Sequence, residues 1–138
     1  MINRVICIIC AVILCVAIFS GCSPVVKDDG FVKIGETYDG VKNFSEGFAS
    51  VKKGDLWGVI DINGNQIVDF IYEDIWYFKE GLCAVKNENG WGFIDTNGNT
   101  VIDNIYVSAW YFSEGYAAVR SGNKYGYIDT QSVAVNVY

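Results

Sequence analysis

Six carboxylates recur through this chain at matched places: Glu46, Glu80 and Glu114, and Asp61, Asp95 and Asp129. A glycoside hydrolase needs two carboxylates about 5–10 Å apart in unlike surroundings, so that one acts as acid and the other as base or nucleophile. Here each copy sits in a near-identical local sequence, and nothing separates an acid from a base. Turn and edge roles are expected instead. Asp61-Ile62-Asn63-Gly64-Asn65 has the oxygen-bearing side chains that open a calcium loop. An EF-hand loop, however, has Gly at position six and Glu at twelve, whereas Gly is fourth here and no Glu follows at twelve. A hairpin turn is the better reading. The chain contains no His, which removes the commonest general base and the commonest zinc ligand. Cys83 occupies the slot of Ala49 and Ala117 and, with no His to activate it, reads as a small buried residue. No catalytic residue, metal or cofactor is expected, and the chain is read as non-enzymatic, with a carboxylate-based hydrolase the least favoured alternative. Ten basic against sixteen acidic side chains, net −6, argue against a nucleic-acid partner, which requires a Lys/Arg footprint.

The N-terminus has a different character. Arg4 precedes an unbroken apolar run of fifteen residues, Val5–Phe19. As a helix it would reach about 22 Å, short of the roughly 30 Å hydrocarbon core, so it reads as a secretory signal rather than a spanning segment. Cys7, Cys10 and Cys15 fall inside that run, so Cys7-x-x-Cys10 is no redox or metal motif. Phe19-Ser20-Gly21-Cys22 resembles the lipobox of bacterial lipoproteins, with Phe19 in place of the usual Leu. That resemblance implies cleavage before Cys22, a lipid on its thiol, and a place at the bacterial cell membrane or envelope facing away from the cytoplasm. An ordinary signal peptide is the alternative, and a single-span anchor a more remote one. Residues 22–30 then read as a polar tether. Cys83 would be the one thiol left and cannot form an internal disulfide, so the exported domain is held by its core.

Self-comparison organises the rest. Phe44-Ser45-Glu46-Gly47 returns as Phe78-Lys79-Glu80-Gly81 and as Phe112-Ser113-Glu114-Gly115, a period of 34 both times. The match continues through Trp57-Gly58, Trp91-Gly92 and Tyr125-Gly126, then Ile60-Asp61, Ile94-Asp95 and Ile128-Asp129. Tyr38 aligns with Tyr72 and Val41 with Ile75. The domain at 31–138 is therefore divided into a partial unit at 34–43, units at 44–77 and 78–111, and an incomplete unit at 112–138. Each unit reads as β: strands at Gly47–Lys52 and Trp57–Asp61 around a four-residue connection, a type I′ turn at Asn63-Gly64, a strand at Gln66–Phe70 and a short fourth at Asp74–Phe78. The Gly after each Trp is expected to admit a neighbouring ring or backbone close to the strand.

Glu80-Gly81-Leu82-Cys83-Ala84-Val85-Lys86 and Trp91-Gly92-Phe93-Ile94-Asp95-Thr96-Asn97-Gly98-Asn99 resemble the bacterial WG, or KWG, repeat family. The resemblance covers about residues 34–138. Tyr125 departs from it, and Asp69 and Asp103 stand where such repeats often carry Pro. It implies an exported all-β repeat protein and is similar, more distantly, to the aromatic hairpin repeats of cell-wall-binding modules. The expected fold is a short open stack of tandem 34-residue β-hairpin repeats, with a closed threefold, trefoil-like arrangement as the alternative.

Function is sought among the positions that differ between copies. Phe44, Phe78 and Phe112 are identical, and Trp57, Trp91 and Tyr125 keep a large ring, as packing between units requires. Trp76 and Trp110, by contrast, align with Lys42, and Tyr77 and Tyr111 with Asn43. Core packing and an exposed aromatic platform both remain open for Trp76 and Trp110. An outward Trp76 beside an inward Phe78 needs a bend, because residues two apart in a strand share a face. The candidate contact residues are Trp76, Tyr77, Trp110 and Tyr111, supported by Lys42. Such rings stack on sugars or anchor protein partners. The reading is a lipid-anchored binding module for a glycan, wall polymer or envelope protein, with a spacer or self-assembling repeat element as the alternative.

Overall fold

The structure is a computed structural model of the chain, describing residues 34–130 in full and the backbone alone at 27–28, 31–32 and 134–135. The segment expected to be a signal peptide, and Cys22, lie outside the described residues. The chain divides into two units, Met1–Gly35 and Glu36–Tyr138. In the first, β1 (Lys27–Asp28) pairs antiparallel with β2 (Phe31–Val32), so part of the stretch expected as a tether is one arm of a hairpin.

The second unit is three sheets of four strands each. The first holds β3 (Gly40–Val41), β4 (Phe48–Lys53), β5 (Leu56–Asp61) and β6 (Gln66–Tyr72). The second holds β7 (Asp74–Ile75), β8 (Leu82–Asn87), β9 (Gly90–Asp95) and β10 (Thr100–Tyr106). The third holds β11 (Ser108–Ala109), β12 (Tyr116–Ser121), β13 (Lys124–Asp129) and β14 (Ala134–Val135). In each sheet the strands neighbour one another in chain order and run antiparallel. The all-β tandem-repeat expectation holds, with no helix among the described residues. Sheet packing runs from the first to the second and from the second to the third, without closing into a barrel.

The sheets are out of phase with units cut at Phe44, Phe78 and Phe112. Asp74–Ile75 is not the fourth strand of one unit but the first of the next sheet, where Asp74 pairs with Lys86 and Ile75 with Val85. Likewise Gly40–Val41, from the partial unit, completes the first sheet by pairing with Lys52 and Val51. The expected four-residue connection is tighter too: Lys53 still pairs with Leu56, leaving Gly54 and Asp55 as the loop.

The type I′ turn expected at Asn63-Gly64 lies elsewhere in each repeat. Among the described residues, positive φ outside glycine occurs only at Glu46, Glu80 and Glu114, near 54°. Each precedes a glycine that also has positive φ, and Ser45 and Phe48 exchange two backbone hydrogen bonds across the pair. That is the type I′ hairpin, at Glu-Gly rather than Asn-Gly. At Asn63-Gly64 only Gly64 has positive φ, 83°. The Gly64 N–H donates to the Asp61 carbonyl and the Asp61 N–H to the Asn65 carbonyl, a type I turn closed by a left-handed glycine. Asp61 selects it, because its carboxylate accepts from the N–H groups of Asn63 and Asn65 at 2.8 and 2.9 Å.

Burial follows position in the stack. In β8 and β9 most successive residues are buried, because the second sheet is covered on both faces. Ile75, Phe78, Cys83, Val85 and Ile94 pack with Val59, Val68 and Tyr72 of the first sheet. On its other side Ala84, Trp91, Phe93 and Ile102 pack with Ala109, Phe112, Ala117, Val119 and Ile128 of the third. The recurring Phe is the knob: Phe78 lies 4.8 Å from Phe48 and Phe112 4.9 Å from Phe93, ring centre to ring centre. In β13, burial alternates from exposed Tyr127 to buried Ile128, as in an antiparallel sheet covered on one face.

The glycine of each Trp-Gly pair has the role expected of it. Partner strands β6 and β10 bulge where they cross Gly58 and Gly92. A Cβ on Gly92 would stand 2.5 Å from the Ile102 carbonyl oxygen and 2.8 Å from the Asn104 nitrogen. Both obstacles are backbone, so relief requires moving a strand. Gly92→Ala is expected to destabilise the fold by about 1–3 kcal/mol or more, read as a lower urea midpoint. An unchanged midpoint would show that the crossing is not close in solution.

Candidate functional site

Lys42, Trp76 and Trp110 follow the short first strand of each sheet, and each faces the ring at 57, 91 or 125 on the central hairpin. Trp76 lies 6.4 Å from Trp91, and Trp110 lies 6.3 Å from Tyr125. In the first sheet the Lys42 ammonium takes the ring's place, 4.6 Å from the centre of Trp57. Lys42 also bonds the Asp74 carboxylate at 3.0 Å and the Ile75 carbonyl, so it ties the first sheet to the second instead of supporting an open surface. The bend required between Trp76 and Phe78 is present: the strand stops at Ile75, and Trp76 is partly buried while Phe78 is wholly buried.

The four candidate rings do not form one platform. Trp76 contacts Tyr77, 6.0 Å away, and Trp91, and no ring contact joins this group to Trp110 or Tyr111 among the described residues. Trp76 and Tyr77 are partly buried. Trp110 and Tyr111 are 39% and 44% exposed.

Among the described residues no further sheet packs on the third as the third packs on the second. Trp91 is 8% exposed and Phe93 0%, yet their counterparts Tyr125 and Tyr127 are 60% and 62% exposed. With Trp110, Ala118 and Gly126 these tyrosines line a surface hollow of about 420 Å³. Tyr116, in the slot of buried Leu82, is exposed beside them in sequence register. Sequence reasoning treated slot 125 as packing and passed over 116 and 127. Its available signal was that Leu82, Trp91 and Phe93 all become Tyr in the third copy, the ring that keeps apolar area while its hydroxyl meets water.

The recurring carboxylates act on the backbone. Glu46 accepts from the N–H groups of Glu80 and Gly81, at 2.7 and 2.9 Å, and Glu80 accepts from Gly115 N–H at 2.9 Å. Each thus reaches one repeat along the chain and binds the next type I′ turn, whose left-handed glutamate costs about 1–2 kcal/mol. Ser45 adds its hydroxyl, donated to the Phe78 carbonyl at 2.7 Å. Asp61 and Asp95 hold their own turns, and hydrogen bonds first from the Asn65 and Asn99 side chains, then from backbone N–H groups, lower their pKa values. Cys83 is buried, and burial pushes its thiol far up, only partly offset by Lys42. Among the described residues no three acidic or thiol groups converge as a cation site.

These features define an all-β tandem-repeat protein whose charged side chains join successive turns and whose last described sheet presents uncovered rings. The family described as WG containing repeat matches residues 37–57, 57–91 and 91–125, and the chain belongs to it. No curated protein and no solved structure matches the chain.

Two outcomes follow from this geometry. Because Asp61 and Asp95 have depressed folded-state pKa values, their contribution is present above the unfolded value of 3.8 and is lost as pH falls through the lower folded value. Replacing both by Asn should lower stability at neutral pH and flatten its decline below about pH 4, measured by urea melts across pH. An undiminished acid decline would assign it to other groups. Separately, Trp110 is the most accessible indole, so Trp110→Phe should remove the largest share of acrylamide-quenchable fluorescence and Trp91→Phe the smallest; the reverse order would contradict the burial described.

Proposed function

We propose that this WG repeat protein is a non-enzymatic binding module of the bacterial envelope, held at the membrane by lipid on Cys22. One observation carries the binding part: Trp110, Tyr125 and Tyr127 surround an open hollow, while the matching slots of the second sheet are closed. Aromatic faces edged by hydroxyls suit a partner that is apolar on one side and polar at its rim, such as a sugar ring of a glycan or wall polymer, or a protein side chain. The anchoring part is supported by the apolar run Val5–Phe19 and the lipobox-like Phe19–Cys22. Of the residues singled out in sequence, Trp110 lines this hollow, Tyr111 is exposed next to it in the chain, and Trp76 packs against the core between the second and third sheets.

A second reading, a self-assembling repeat element, is favoured by a specific fact: the rings left open are those that each internal junction covers. The test of the first reading is binding of the full chain to purified cell-wall glycan and to envelope protein fractions. The double variant Trp110→Ala, Tyr125→Ala is expected to bind about tenfold or more weakly, with its circular dichroism unchanged. Equal binding by the double variant would remove the hollow as the contact surface.

A further inference from the structure

We infer that the open face of the third sheet receives the Phe44 edge of a second copy of this chain, head to tail. The inference rests on the binding reading above and names the partner of the same hollow. Inside the molecule the junction is made twice. In each, the leading Phe of one sheet enters the preceding sheet, as Phe78 meets Phe48 and Phe112 meets Phe93. In each, a glutamate of the preceding repeat binds the backbone of the next type I′ turn, Glu46 through two N–H groups and Glu80 through that of Gly115.

One half of a further junction stands exposed on the third sheet, and only the edge of the other half stands exposed on the first. On the third sheet, Tyr116 and Tyr127 occupy the slots of Phe48 and Phe93 and are exposed, and the Glu114 carboxylate is exposed at the place from which Glu46 and Glu80 reach forward. On the first sheet, Phe44 is 44% exposed while Phe78 and Phe112 are 1%. Val41 is exposed where Ile75 and Ala109 are buried. The Glu46-Gly47 turn is exposed, whereas Gly81 and Gly115, which receive a carboxylate, are partly buried. Ala49, Val51 and Ile60 of the first sheet are already buried, so its open part is the edge bearing Val41, Phe44 and the turn. The two surfaces are chemically complementary and unlike each other. The contact is therefore heterologous, one copy's first sheet on another's third, and it propagates from copy to copy.

A heterologous contact has a distinctive test. The full chain in mild detergent is studied by density-matched sedimentation equilibrium, with Phe44→Asp and Tyr127→Asp as variants, each at an exposed position outside the internal junctions. The unaltered chain is expected to gain mass with concentration, and each variant alone to associate roughly tenfold or more weakly. An equimolar mixture of the two variants is expected to form dimers and nothing larger, because each supplies the half the other lacks. A chain monomeric at every concentration, association unmoved by either variant, or a mixture that fails to pair would each overturn the inference. If the chain stays monomeric while the Trp110 and Tyr125 variant still loses glycan or protein binding, self-association falls and the binding reading stands. If neither is seen, both fall.

Discussion

A sheet of four short strands has two faces and no interior. Trp91 and Phe93 are shielded from water only because Phe112 and the apolar face of the third sheet lie against them, and Phe78 does the same for the first sheet. With Cys83 the one cysteine among the described residues, and free, no covalent staple shares the task. Stability is consequently carried by the spaces between sheets, and each sheet depends on a neighbour. The side-chain pattern obeys that dependence: both faces of β8 and β9 are apolar, whereas β13 turns tyrosines outward and Ile128 inward.

Apolar packing alone would leave the sheets free to slide, and the glutamates oppose this. A left-handed Glu-Gly pair points its two N–H groups outward, where they form a small anion-binding concavity. Glu46 occupies the one at Glu80-Gly81, and Glu80 bonds Gly115 in the next. The residue that bears the backbone strain is thus also the one that fixes the register of the following turn. Lys42 adds a further tie through Asp74 and the Trp57 ring. These contacts assign the recurring charges to construction, a role that fits their repetition.

Much of this was legible in sequence, since a period of 34 residues records contacts that every copy must make. The β class, the hairpins, the Phe layer and the glycine beside each Trp all follow from it. Phase was not legible, because a periodic string looks alike wherever it is cut, and only hydrogen bonding assigns Asp74–Ile75 to the later sheet. The place of the type I′ turn was hidden for a different reason. Asn-Gly is the stronger local preference, but the Asp61 carboxylate redirects that turn, and the Glu-Gly turn is stabilised by a side chain 34 residues away. The open rings of the third sheet could have been found by asking which substitutions add a hydroxyl.

The phase of the sheets has one more consequence. Because each sheet draws its first strand from one side of the recurring Phe and its other three from the far side, no single segment cut at a sheet boundary is privileged. Any contiguous stretch one period long contains every part of a sheet and of a junction, in permuted order. Gene duplication by unequal crossing-over would therefore lengthen the array without disturbing it wherever the breakpoints fell, provided the inserted length equals the period. A fold of this kind tolerates whole-unit growth and resists insertions of any other size within its strands.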